Sequence, residues 1–252
     1  MSGILEEANY FRMIMEAAPP IRWGRMRPFK ITFKVGSPVC ITTPWINFDG
    51  LLAHLMLLDS LGPDFYITPK KLNLTPYLPE NRRMLPLKRT GQLYHASVSM
   101  FTPSSLRVTQ IYKRFEERWA HNLDKKKIYQ GTGTFRSFMM KQPYVPCKEV
   151  TYYVHGDMEI IRELIEKYLV GLGNDVRIGF GIIRDVVFEE TAADWSLVAN
   201  GVAMRPIPVE FCEEYEDAAY LAWKAPYWAP QNVALCVPPG ARCTLRDDVA
   251  WK

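Results

Sequence analysis

No Cys-x-x-Cys pair occurs in this chain. Its five cysteines (Cys40, Cys147, Cys212, Cys236, Cys243) are odd in number and scattered. A zinc ribbon or thiol redox motif is therefore not expected, and a reduced compartment is. H-E-x-x-H, a P-loop, a Ser-His-Asp signature and carboxylates at metal-ligand spacing are also missing. That leaves no motif for a metalloprotease, a phosphate-cradling hydrolase or a triad hydrolase, and no metal or other cofactor is expected. Long apolar runs are lacking too. The greasiest stretch, Leu51 to Leu61, is broken by His54 and Asp59 and falls well short of the ~20 residues that cross a bilayer. Met1 to Glu7 carries two acids and no basic n-region, so nothing there reads as a signal peptide. A cytoplasmic protein with no membrane partner is expected, and no internal repeats are visible.

What the chain does have is charge asymmetry. The formal net charge is only +4. Yet Thr68 to Arg136 holds fourteen basic and four acidic residues, a net +10, while Glu149 to Asp217 holds five basic and fifteen acidic, a net −10. Such segregation points to a polyanion-binding surface on one side. The acidic half faces either a basic partner or solvent.

Its 252 residues allow one large domain or two small ones. Met1 to Ala18 reads as a helix that Pro19-Pro20 ends. Lys30 to Val35 alternates with period two, a half-buried strand. Asn47-Phe48-Asp49 then starts an apolar helix that Gly62-Pro63 stops. Glu149 to His155 alternates again, with Val150, Tyr152 and Val154 on one face. An amphipathic helix follows from Asp157, its stripe formed by Ile161, Leu164, Ile165, Tyr168 and Leu169. Gly156-Asp157 offers the N-cap and Gly171 a left-handed C′ residue.

Directly behind that helix lies a glycine run: Gly171, Gly173, Gly179 and Gly181, with Arg177 among them. Ile182 to Phe188 reads as a strand. The order is helix, glycine loop, strand, which is the reverse of a dinucleotide-binding fingerprint. Dense glycines let backbones approach closely and expose amide N–H groups. Beside Arg177, the ligand that suits them is a polyanion. The expected fold is α+β: a ferredoxin-like (RRM-like) core over residues 20–190, a large basic insert at 66–146, and a small C-terminal appendage at 191–252 rich in Pro and Trp. Within the insert, a helix is predicted over Pro103 to Asn122, with Val108, Ile111, Tyr112, Phe115 and Trp119 as its stripe and Arg107, Arg114 and Arg118 on another face. Lys125, Lys126, Lys127 and Arg136 belong to a basic loop or hairpin beyond it. Tyr129 and Phe135 either stack on unpaired bases or pack the insert.

The glycine loop, the skeleton and the basic insert together resemble the repeat-associated RNA-binding (RAMP) superfamily of CRISPR systems. Pro28 to Val39 and Thr43-Pro44-Trp45-Ile46-Asn47-Phe48-Asp49-Gly50-Leu51-Leu52-Ala53-His54 are similar to the 5′-handle-binding subunit of type IV CRISPR effector complexes. The resemblance implies a prokaryotic, non-catalytic subunit of an antiviral or plasmid-defence ribonucleoprotein. It would grip the 5′ handle of a crRNA and cap the filament of backbone subunits. It would also lie beside a large subunit and help position target DNA. The glycine loop would meet the RNA backbone, and the basic insert would act as a thumb. Trp45 either wedges against the first helix or anchors a neighbouring subunit. The rival is a metal-independent endoribonuclease that processes precursor crRNA, with His54, His95 or His121 as general base.

Overall fold

Period-two alternation makes Met26–Val35 the spine of the molecule. Phe29, Ile31 and Phe33 are fully buried on one face, and Lys30 and Lys34 leave from the other. The computed structural model describes residues 24–67, 84–116 and 130–246. Its main elements run β1 (Met26–Val35), β2 (Val39–Cys40), α1 (Phe48–Leu61), β3 (Arg89–Thr90), β4 (Leu93–Tyr94), β5 (Met100–Thr102), β6 (Arg107–Lys113), β7 (Phe138–Val145), β8 (Glu149–Asp157), α2 (Met158–Tyr168) and β9 (Ile183–Glu190). Then come β10 (Val198–Ala199), β11 (Val202–Ala203), β12 (Ile207–Pro208), β13 (Cys212–Tyr215), β14 (Ala219–Ala222), β15 (Val233–Val237) and β16 (Cys243–Leu245). Among the described residues this is a mixed α/β protein, mostly strand, with two α-helices and antiparallel sheets.

The main sheet has the order β5-β8-β1-β9. β1 pairs with β8 from Met26 opposite Asp157 to Lys34 opposite Glu149, and with β9 on its other edge. Leu52, Leu55 and Met56 of α1 join Ile161, Leu164 and Ile165 of α2 in one apolar cluster with Phe29, Ile31, Phe33, Val150, Tyr152 and Val154. Each fully buried apolar side chain is worth about 1.5–3 kcal/mol. Asp157 caps α2: its Oδ1 accepts from the Glu159 and Ile160 N–H groups, both at 3.2 Å.

The opposite face is polar. Lys30 pairs with Glu189 at 2.5 Å and Lys34 with Asp185 at 2.9 Å, each directly across the sheet. At the start of β1, on the face of Phe29, Arg27 reaches Glu159 and Glu190, both at 2.8 Å. Part of the acidic half is thus matched by cations of β1 within the fold, rather than left for a basic partner.

Several expectations need correction. Arg107–Lys113, predicted as helix, is strand β6, paired with β7 from Arg107 opposite Tyr144 to Lys113 opposite Phe138. Val108, Thr109, Ile111 and Tyr112 are β-branched or aromatic and suit a pleated surface; pairing with β7 decides the outcome. The three arginines therefore share no helix face. The region read as an insert also supplies β5, an edge strand of the main sheet paired to β8. Gly171 is not a left-handed C′ residue: α2 ends at Tyr168, with Leu169 as an extended cap. The helix predicted over Met1 to Ala18 lies outside the described residues. So do Arg118, Trp119, His121, Lys125, Lys126, Lys127, Tyr129 and Trp251.

Beyond Thr191 the chain builds a second apolar cluster from Leu197, Ala203, Ile207, Phe211, Trp223, Cys236 and Val237, joined by Leu93 of β4. Its sheets are β12-β15-β14 and β13-β16. One guanidinium ties this part to the main body. Arg205 is 1% exposed. Its Nη1 donates to the Tyr94 and Ala96 carbonyls at 2.5 and 3.2 Å. Its Nη2 donates to Asp49 Oδ2 at 3.2 Å, the Trp223 carbonyl at 2.7 Å and the Tyr227 hydroxyl at 3.0 Å. Tyr227 in turn donates to Asp49 Oδ1 at 2.5 Å.

Breaking a buried pair leaves its partner charged and desolvated. Arg205→Ala is expected to lose about 3–5 kcal/mol of stability in urea unfolding. Arg205→Lys recovers little of this, because an ammonium lacks the planar fork. Lys34→Ala, on the solvent face, leaves the midpoint unchanged.

Candidate nucleic-acid interface

The segment between α2 and β9 closes on itself and onto the β1–β2 turn. The Leu172 N–H donates to the Gly181 carbonyl at 2.9 Å, and the Ile183 N–H to the Val170 carbonyl at 3.3 Å. The Gly181 N–H donates to the Pro38 carbonyl at 2.8 Å, the Asn174 N–H to the Cys40 carbonyl at 2.8 Å, and the Gly36 N–H to the Ile182 carbonyl at 2.7 Å. Ser37 Oγ accepts from the Ile182 N–H at 2.9 Å. These close approaches explain the glycines. A Cβ on Gly181 would collide with the Leu172 carbonyl, and one on Gly173 with the Cys40 carbonyl. One on Gly171 would lie 2.6 Å from Val176 Cγ1.

Gly179 is different. Its φ is +102° and nothing lies within 4 Å of its missing side chain. It ends a short 3₁₀ turn, Val176–Ile178, which also carries the exposed Arg177. The expectation of a loop rich in free amides is therefore corrected. The N–H groups of Leu172, Asn174, Ile178, Gly179, Gly181 and Ile182 are committed within the protein. What faces outward is the Arg177 side chain over an open glycine.

A two-stranded ribbon is rooted next to this loop. Buried Gln142 of β7 donates its Nε2 to Asp175, which holds a left-handed φ of 58° in the loop. The Tyr144 ring meets Phe180 at 6.3 Å. Away from this root, the β6–β7 pair is open to solvent. Val108 opposes Pro143, Gln110 opposes Lys141 and Tyr112 opposes Met139, so these residues share one face. Val108, Tyr112 and Met139 are 60%, 66% and 56% exposed. Arg107, Lys113 and Lys141 lie on the ribbon, and Arg114 and Arg136 just beyond it. Glu116 is the sole acid among the described residues of 107–116 and 130–145. Phe135 sits edge-on to Phe115 at 5.4 Å, packing the ribbon's far end.

The structure thus brings Gly171, Gly173, Arg177, Gly179 and Gly181 together with the root of the ribbon, where Arg107 lies, and leaves Arg114 and Arg136 beyond the ribbon's far end. The described candidate histidines, His54 and His95, lie on other elements. His54 is exposed on α1, its ring edge-on to Phe65 at 5.1 Å. His95 is buried, which holds its pKa below the ordinary value against the pull of Asp194. Its Nε2 is engaged by Thr90 Oγ1 at 2.7 Å and its Nδ1 by Asp194 Oδ2 at 2.8 Å, so neither ring nitrogen is free for a substrate. Trp45 is half-buried ahead of α1, its carbonyl accepting from Thr43 Oγ1 at 2.7 Å. Sequence reasoning passed over His155, Asp194, Arg205 and Tyr227. No local pattern marks them, because their partners come from remote segments.

The two kinds of loop glycine separate experimentally. Gly179→Ala costs about 1–2 kcal/mol for its left-handed backbone and leaves a folded protein. Gly181→Ala adds a collision with backbone to the same penalty, and its melting temperature falls further. Equal losses would show that the close approach at Gly181 relaxes.

Among the described residues no helix is long and apolar enough to cross a membrane. A search of curated proteins finds no match. Among solved structures, a chain of "Cryo-EM structure of the Type III-B Cmr-beta bound to cognate target RNA" is similar at 10% identity and a TM-score of 0.37. The match covers 75% of this chain and 67% of that one. A likeness at that level bears no weight on fold or function. The profile of the family described as CRISPR type IV associated protein Csf3 matches residues 70–239, which takes in the ribbon, the glycine loop and most of the C-terminal part. With more than half its length matched, the chain belongs to the CRISPR type IV associated protein Csf3 family.

Proposed function

We propose that this chain is the non-catalytic, cytoplasmic subunit that holds the 5′ handle of the crRNA in a type IV CRISPR ribonucleoprotein. In that role it caps the backbone filament beside the large subunit and helps position target DNA. Family membership supports the setting. The observation that carries the RNA-binding role is the placement of a cationic, aromatic ribbon directly beside the glycine loop, so that Arg177, Arg107 and Lys141 belong to neighbouring elements. Cations track phosphates, while exposed Tyr112 and Met139 offer platforms for unpaired bases. The β5-β8-β1-β9 order, with α1 between β1 and β5 and α2 between β8 and β9, is the order a ferredoxin-like βαββαβ unit requires. It supports reading residues 20–190 as the RNA-binding core and 191–252 as its appendage. Lys125, Lys126 and Lys127 extend the ribbon's charge in sequence, and Trp45 is assigned to a subunit interface.

The test is a labelled repeat RNA incubated with the purified chain in chelator, then run on native and denaturing gels. Binding with the RNA intact is the expected result. A single specific cut would instead make the protein a processing endoribonuclease. Charge reversal at Arg107 and Lys141, or at Lys125, Lys126 and Lys127, should lower the log–log salt slope by ~0.7 for each single-strand phosphate no longer neutralised. Tyr112→Ala should lose about 1–3 kcal/mol of binding if a base stacks there. None of the three variants should move the melting temperature; Arg107, Tyr112 and Lys141 lie outside both apolar clusters. Unchanged binding in all three variants would remove the ribbon from the interface.

A further inference from the structure

Three remote residues converge where the β3–β4 hairpin, strand β8 and the segment after β9 meet. His95 Nδ1 and His155 Nδ1 lie 2.8 and 2.6 Å from the same oxygen, Asp194 Oδ2. The three donor atoms all lie within 4.8 Å of one another, and the two rings stand nearly perpendicular at 5.9 Å.

Asp194 and His95 are held from behind by side chains, and His155 by its backbone. The Ser196 N–H donates to Asp194 Oδ1 at 3.1 Å and the Ser196 hydroxyl bonds the same oxygen, which leaves Oδ2 turned to the rings. Thr90 Oγ1 fixes His95 through Nε2. The His155 N–H donates to the His95 carbonyl at 2.9 Å, and the Lys88 N–H to the His155 carbonyl at 2.8 Å, so the two histidine backbones are locked together. Polar groups placed behind an imidazole and a carboxylate, with the second histidine fixed through its backbone, are the kind of support a metal-binding set uses.

We propose that His95 Nδ1, His155 Nδ1 and Asp194 Oδ2 form a binding site for a divalent cation of the zinc class, with water completing its coordination. Two imidazoles favour zinc, cobalt or nickel over magnesium or calcium, which take oxygen ligands. Each Nδ1 now sits at a hydrogen-bond separation from Oδ2. Around a tetrahedral ion at about 2.0–2.1 Å the donor atoms would stand about 3.3 Å apart, so each ring retreats from Oδ2 by roughly half an ångström. His155 and Asp194 keep part of their side chains exposed, at 17% and 24%, which gives the ion a way in. Among the described residues the competing cation is Lys88 Nζ, 3.6 Å from Oδ2 on a half-exposed side chain that is free to turn to solvent. The bound ion would staple residues 194–196 to the main sheet, where the chain enters its C-terminal part.

The test uses the full chain, stripped with chelator and dialysed, then titrated calorimetrically with zinc and followed by absorption with cobalt. One equivalent is expected to bind, with a rise in melting temperature and a cobalt spectrum of mixed nitrogen and oxygen ligands. Asp194→Asn and His155→Gln should lose uptake while circular dichroism shows them folded, and Ser196→Ala should weaken it by about 10–100-fold. Should either of the first two fail to fold, the wild-type stoichiometry and cobalt spectrum decide. No stoichiometric uptake by the wild type overturns the proposal. So does uptake that survives Asp194→Asn, or a thiolate-type cobalt spectrum abolished by Cys212→Ser and Cys243→Ser.

Discussion

A guanidinium enclosed in the interior governs how the two halves of this protein fit. Arg205 cannot be deprotonated, and burial withdraws it from water, so its donors must find acceptors inside. Nη1 and Nη2 find them on Asp49 at the start of α1, the carbonyls of Tyr94 and Ala96, the Trp223 carbonyl, and Tyr227, while Nε is buried without a partner among the described residues. Those contacts hold segments remote in sequence against one another. Burial, reinforced by Asp49, pushes the Tyr227 hydroxyl well above its ordinary pKa, so it stays protonated and donates to the carboxylate. The Phe48-Asp49-Gly50 run thereby acquires a physical reason. Phe48 packs on Tyr152 at 5.0 Å, Asp49 neutralises Arg205, and Gly50 leaves room for the Tyr227 ring, 3.2 Å from where a Cβ would stand.

The glycine loop and the ribbon divide the work differently from what glycine density alone implies. Gly171 and Gly181 serve close packing within the loop and Gly173 serves it against Cys40, and the amides are committed within the loop or to the β1–β2 segment. In the proposed role, recognition would fall to side chains: Arg177 on the loop, and the cations and aromatic surface of β6 and β7. A loop held this firmly fixes where the Arg177 backbone stands, which would suit it to a backbone phosphate at a set position.

Much of the core was legible because its signals are local. Alternation in β1 and β8, the 3.6-residue stripe of α2, the Asp157 cap and the stop at Gly62-Pro63 each need only neighbours in sequence. What escaped depended on distant partners. β5 is three residues long, too short to show a period, and exists because β8 offers it an edge. Along and just after β6, apolar residues at 108, 111, 112 and 115 mimic a helical stripe, and only pairing with β7 shows Arg107–Lys113 to be strand. Asp49 and Arg205 are 156 residues apart, and no pattern within either segment announces the other. The family match begins at residue 70, beyond the Pro28 to His54 stretch that carried much of the resemblance, and extends through the Pro- and Trp-rich tail from which sequence reasoning drew little.

The ribbon's attachment has a mechanical consequence. β7 is bonded to β2 at Val39 and Cys40, and Cys40 accepts from Asn174 of the glycine loop, while Gln142 grips Asp175 from the side. An eight-residue strand extends about 26 Å, yet its anchorage is confined to the last few residues. The assembly is a lever with the glycine loop as its fulcrum. A load applied at the far end of the ribbon is delivered, multiplied by that length, to the turn that carries Arg177.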